Sequence, residues 1–66
     1  MKADSVEVSR DEQGNRWLIR IKIGGEVIRR SCNEPKNVDE TILRSAAVKT
    51  AADEGYTVDA SEVAFV

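Results

Sequence analysis

The residues able to do chemistry are few, and their spacing suits little of it. The 66-residue chain has no histidine. That removes the imidazole base of Ser-His-Asp and Cys-His systems and the commonest nitrogen ligand for a metal. The one thiol, Cys32, follows Arg29 and Arg30, cations that would favour a nucleophilic thiolate. Its place in an alternating segment reads instead as a small buried hydrophobe on a strand. Acidic pairs stand at Asp11-Glu12, Asp39-Glu40, Asp53-Glu54 and Asp59/Glu62. General acid–base work needs two carboxyl groups converging in a pocket that separates their pKa values. A chain this short has little material to wall one, so these pairs read as solvated charge. Asp11-Glu12-Gln13-Gly14-Asn15 has neither the length nor the spacing of a calcium loop. Gly24-Gly25 lacks the helix N-terminus and the Lys-Ser/Thr pair of a phosphate loop. No catalytic residue, metal site or cofactor is expected, and the chain reads as a non-enzyme.

One constellation points to binding. If Arg16 to Ile23 is a strand, Arg16, Arg20 and Lys22 project from one face, and Arg29 joins them from the next strand. Four cations on a flat sheet suit an acidic protein surface or a phosphate backbone. Single-stranded nucleic acid is usually held with aromatic side chains between the cations, and Trp17 points to the other face. The plainest reading of these cations is a solvated face that keeps the sheet soluble. As a binding surface it would first suit a protein partner, with nucleic acid as the alternative, and self-association is a separate expectation.

The elements that would position these residues follow from hydrophobic period. Val6 and Val8 alternate with Glu7 and Ser9, a short strand with one buried face. In Arg16–Ile23, Trp17, Ile19, Ile21 and Ile23 fall on one side and Arg16, Leu18, Arg20 and Lys22 on the other, the strongest period-two pattern in the chain. Gly24-Gly25 predicts a two-residue hairpin loop. That register sets Ile23 against Glu26, Ile21 against Ile28, Ile19 against Arg30 and Trp17 against Cys32, leaving Arg30 inward at the sheet rim. In the preceding hairpin Val8 lies beside Ile19 or Trp17; the first choice places Glu7 across from Arg20. Pro35 ends the strand region. Asn37-Val38-Asp39-Glu40 suggests a capping box, a helix from about Val38 to Glu54, and a stop at Gly55. Leu43, Ala46, Ala47 and Ala51 would lie on the sheet. A second stripe of Val38, Ile42, Val48 and Ala52 is a candidate self-association surface. Val58, Val63 and Phe65 cannot share one alternation, which calls for a bend near Asp59 to Ser61.

Composition sets the frame. Hydrophobic residues are 41% and charged residues 33%, with a formal net charge of −2. That is a globular balance with no bulk attraction to nucleic acid or anionic membrane. No apolar run is long enough to span a bilayer. The start Met1-Lys2-Ala3-Asp4-Ser5 lacks the apolar core of a secretory signal. With a single thiol this favours a reducing, cytoplasmic setting. The chain length suits one domain, residues 1–66, of stability on the order of 3–5 kcal/mol.

These readings predict an α+β fold: a three-to-four-stranded antiparallel sheet with one helix packed on one face, in the order β-β-β-α-β. The expected core is Val6, Val8, Trp17, Ile19, Ile21, Ile23, Ile28, Leu43, Ala47, Ala51, Val63 and Phe65. In element order the chain resembles the HicB-type antitoxin domain; the resemblance is topological, carries no residue over and implies no function. The functional expectation is a non-catalytic interaction module, binding a protein or itself, without a membrane or small-molecule cofactor among its partners.

Overall fold

The computed structural model describes residues 1–66. Three strands run in sequence, β1 (Ser5–Asp11), β2 (Arg16–Ile23) and β3 (Glu26–Cys32). A helix, α1 (Glu40–Asp53), a 3₁₀ turn at Ala60–Glu62 and a last strand, β4 (Val63–Phe65), complete the fold. The sheet order is β3-β2-β1-β4.

The β2–β3 hairpin adopts the register set by its two-residue loop, and the β1–β2 hairpin takes the first of the two registers that alternation allows. Ile21 faces Ile28, Ile19 faces Arg30 and Trp17 faces Cys32 across β2 and β3. Glu7 faces Arg20, and Val8 faces Ile19, across β1 and β2. Gly24 sits at φ 60° in the two-residue loop, a conformation costly for a side chain with a Cβ. Its N–H is held by the Asp4 carboxylate at 2.6 Å.

The last strand departs from the all-antiparallel expectation, because β4 pairs parallel to β1, Val6 opposite Val63 and Val8 opposite Phe65. Chain direction explains this. Two hairpins leave β3 running the same way as β1, α1 carries the chain back, and β4 then runs along β3's direction on the far side of β1. The expected bend before β4 is the 3₁₀ turn, closed by Glu62 N–H donating to Asp59 O at 2.9 Å.

The helix begins later than predicted. Its N-cap is Asp39, whose carboxylate accepts from Thr41 N–H at 2.8 Å, and not Asn37. Val38 N–H donates to Pro35 O at 3.1 Å, so a turn consumes the residues that would have formed the first helical positions. At the other end Gly55, at φ 92°, donates to Ala52 O while Tyr56 N–H donates to Ala51 O. This paired closure is the Schellman arrangement that glycine favours.

Alternation dictates the core. Val6, Val8, Ile19 and Ile21 are fully buried beneath Leu43, Ala47 and Ala51. The alanines let α1 sit close over β1, β2 and β4, where each buried branched side chain stabilises by about 1.5–3 kcal/mol. Trp17, Ile23, Ile28 and Phe65, expected in the core, are only partly buried around it. Ala3 is buried too, because the first residues run beside Thr57, Ala3 N–H donating to Thr57 O at 3.0 Å and Thr57 N–H to Met1 O at 2.9 Å. No helix is long and apolar enough to cross a membrane.

The burial difference predicts a gradient of mutational cost. Ile19→Ala should lose about 2–5 kcal/mol, most of the stability available to a domain this small, whereas Ile28→Ala on the partly covered edge should lose clearly less. Urea unfolding followed by Trp17 fluorescence would rank the two, and equal losses would contradict the described core.

Candidate functional site

The sheet face away from α1 is open, and strand register decides what it displays. One row across it reads Ala64, Glu7, Arg20, Arg29. The flanking rows read Ser9, Leu18, Ser31 and Ser5, Lys22, Val27, while Asp11 and Arg16 face each other at one end. All four predicted cations, Arg16, Arg20, Lys22 and Arg29, therefore share this face. Against them stand two carboxylates, Glu7 and Asp11, leaving an excess of two positive charges on a chain whose net charge is −2.

Local pairing divides the four cations. Arg16 Nε meets Asp11 Oδ2 at 3.3 Å. Glu7 Oε1 is shared by Arg20 Nη2 at 3.4 Å and Lys22 Nζ at 3.3 Å, longer than the 2.7–2.9 Å or so of a tight charge-assisted bond. Arg20 Nε is buried with no hydrogen-bond partner. Arg29 is exposed and has no ion pair at all. Of the ten lysines and arginines, Lys2, Arg10, Arg16, Arg20, Lys22, Arg30, Lys36, Arg44 and Lys49 each have a carboxylate within reach. Arg29 is the exception, and its cross-strand neighbour is Arg20. Like charges directly opposite on a sheet repel.

Charges elsewhere are absorbed structurally. Arg30, inward at the rim, forks onto Glu54 through Nε–Oε2 at 3.3 Å and Nη2–Oε1 at 2.9 Å. Its Nη1 donates to Arg29 O at 2.8 Å. Lys49 meets Asp53 at 3.2 Å, so both acids at the unfavourable end of the helix dipole have cations beside them. Arg44 donates to Ala60 O and Val63 O, each at 2.8 Å, and lies over the Phe65 ring at 4.9 Å. Sequence reasoning passed over Arg10, although the Val6–Val8 alternation places it on the helix side. Its guanidinium packs over Trp17 at 5.3 Å and donates to Asn15 Oδ1, with Nε and Nη1 otherwise unsatisfied.

The remaining candidates are scattered. Cys32 is half-buried on the helix side, across from Trp17. Val38 precedes the helix and Val48 packs against the core, which leaves Ile42 and Ala52 as the exposed members of the proposed self-association stripe. A shallow recess of about 250 Å³ is lined by Lys2, Thr57, Val58, Asp59 and Glu62. No group of three or more cysteine, aspartate or glutamate side chains is arranged to hold a metal ion.

Two carboxyl groups are held below their ordinary values. Asp11 is lowered from 3.8, chiefly by the Gly14 N–H at 3.1 Å, with Arg16 adding to the effect. Glu62 is lowered from 4.5 by the Asp59 N–H first and then by Lys2 at 3.3 Å. A depressed folded value means that the ionised form supports the turn. The contribution is full above the unfolded value and vanishes as pH falls through the folded one. Asp11→Asn should therefore lower the urea midpoint at neutral pH, with the gap from wild type closing in acid below 3.8; a gap equal at both pH values would contradict this. Compared with known proteins, the chain matches no family model, no curated protein and no solved structure.

Proposed function

We propose that this chain is a non-catalytic interaction module whose open sheet face docks an acidic protein segment. The observation that carries the reading is the Arg20–Arg29 pair, two arginines opposite each other in the strand register, with one carboxylate shared by Arg20 and Lys22 and none for Arg29. Such a pair weakens the fold by roughly 0.2–1 kcal/mol compared with a neutral one. An incoming carboxylate would relieve that repulsion and satisfy the free guanidinium by the two-point geometry arginine favours. Leu18 and Val27 on the same face offer apolar contact beside the charges.

The placement of aromatic residues favours a protein partner over nucleic acid. Trp17 lies on the helix side, its indole N–H donating to Pro35 O at 3.0 Å, and Phe65 sits under Arg44. The open face therefore has no ring on which a base would stack.

Arg29→Glu separates binding from folding. It converts the repulsive cross-strand pair into an attractive one, so the fold should hold or gain up to about 1 kcal/mol. Binding of a labelled glutamate-rich peptide, read by fluorescence anisotropy, should weaken by about tenfold or more, equivalent to about 1.4 kcal/mol. Equal peptide binding by wild type and variant, or preferential salt-sensitive binding of a labelled oligonucleotide, would overturn the reading.

A further inference from the structure

The sheet has one long edge that nothing covers. β3 pairs only with β2, whereas the opposite edge ends in the three-residue β4. In a two-residue hairpin the residues flanking the loop exchange both hydrogen bonds, and the pattern then alternates. Ile23 and Glu26 are that pair. Val27, Arg29 and Ser31 consequently aim their N–H and C=O groups outward. The Arg29 carbonyl is capped by the Arg30 guanidinium at 2.8 Å.

One exposed apolar side chain stands on this edge and another on the helix. Apart from Met1 and Val66, the large apolar side chains left exposed are Val27, at 41%, and Ile42, at 49%. Val27 stands on the edge strand itself. Ile42 lies about 160° around α1 from Arg44, at about 100° per residue. Since Arg44 is tied to Ala60 and Val63 on the β4 side, Ile42 falls on the flank of α1 away from β4. Ile28 and Cys32, on the helix side of β3, are only partly covered.

We propose that β3 pairs antiparallel with β3 of a second copy, centred on Ile28, to form one continuous sheet. Edge strands are usually guarded by charge, and here the charges complement one another when the strand meets itself reversed. Centring on Ile28 sets Glu26 opposite Arg30 of the second copy, twice by symmetry, and Val27 opposite its Arg29. The residues with outward N–H and C=O groups then bond each other, and the two Ile28 side chains meet in the closer, non-hydrogen-bonded position. Centring on Arg29 or Arg30 would instead oppose identical guanidinium groups, which like-charge repulsion disfavours. In the pairing, Val27 N–H of the second copy takes over the Arg29 carbonyl, and Arg30, still braced by Glu54, gains the second copy's Glu26. Both helices lie on one face of the joined sheet, and the two cationic faces become one strip. The inference does not depend on an acidic partner, since Arg29→Glu faces valine in this register and leaves the pairing intact.

A charge-swap experiment tests it. Sedimentation equilibrium of the full chain should show its mass doubling as concentration rises. The Glu26→Arg and Arg30→Glu variants should each stay monomeric, because each opposes like charges at both symmetric positions. Mixed in equal amounts they should recover the dimer, since the mixture alone matches opposite charges at both. If Arg30→Glu fails to fold for want of its Glu54 contact, Arg29→Pro takes its place. It removes an outward N–H while sparing the β2 ladder, and it should be a folded monomer. A wild-type chain that stays monomeric at every concentration would overturn the proposal. So would a dimer that survives Glu26→Arg and Arg29→Pro, which would place the contact elsewhere.

Discussion

The whole molecule depends on β2 being enclosed on three sides. β1 and β3 bond it laterally and α1 covers one face, so each of its positions has a fixed environment. Ile19 and Ile21 are fully buried between Val6, Val8 and the helix alanines. Arg20 and Lys22, one residue away in each case, are thereby forced onto the opposite face. A shift of register by a single residue would bury the cations and expose the isoleucines, a change the small core has no means to absorb. The same constraint that folds the chain composes its charged face.

What could be read in advance follows the range of the interaction involved. The β2–β3 register was legible, because Gly24-Gly25 and the isoleucine alternation act over a few residues. The β1–β2 register was narrowed to two choices, Val8 beside Ile19 or beside Trp17, because the longer Asp11–Asn15 connection does not fix the pairing. The common face of Arg16, Arg20, Lys22 and Arg29 came with the β2–β3 register. The helix start was less so. Asn37 and Asp39 are both competent caps, and the choice fell to a turn made by Pro35 and Val38, which depends on how the chain leaves β3. The direction of β4 was hidden because the alternation of Val63 and Phe65 is equally compatible with parallel and antiparallel neighbours; only knowing that it lands beside β1 decides it. The pairing of Glu7 with two cations, and the absence of any partner for Arg29, required the completed sheet.

Charge is distributed unevenly between uses. On the helix side nearly every ion pair closes a join: Arg30 with Glu54 ties β3 to the helix end, Lys49 with Asp53 supports the last turn, and Lys2 with Glu62 brings the first residues to the 3₁₀ turn. Exposed pairs of this kind contribute little each, about 0–1 kcal/mol, but they leave no spare cation there. The open face retains an excess that serves no such join. Structural economy on one side and surplus on the other is the asymmetry on which the proposed binding role rests.

Arg44 has a consequence for how the molecule comes apart. One guanidinium, rooted in the second turn of α1, grips two carbonyls of the 60–63 segment and lies against the Phe65 ring. The three-residue β4 would otherwise be a natural place for fraying. Bound in this way, β4 and the helix should open as a single cooperative unit, with amide protons of Val63 to Val66 expected to exchange with solvent on the timescale of helix loss and not ahead of it.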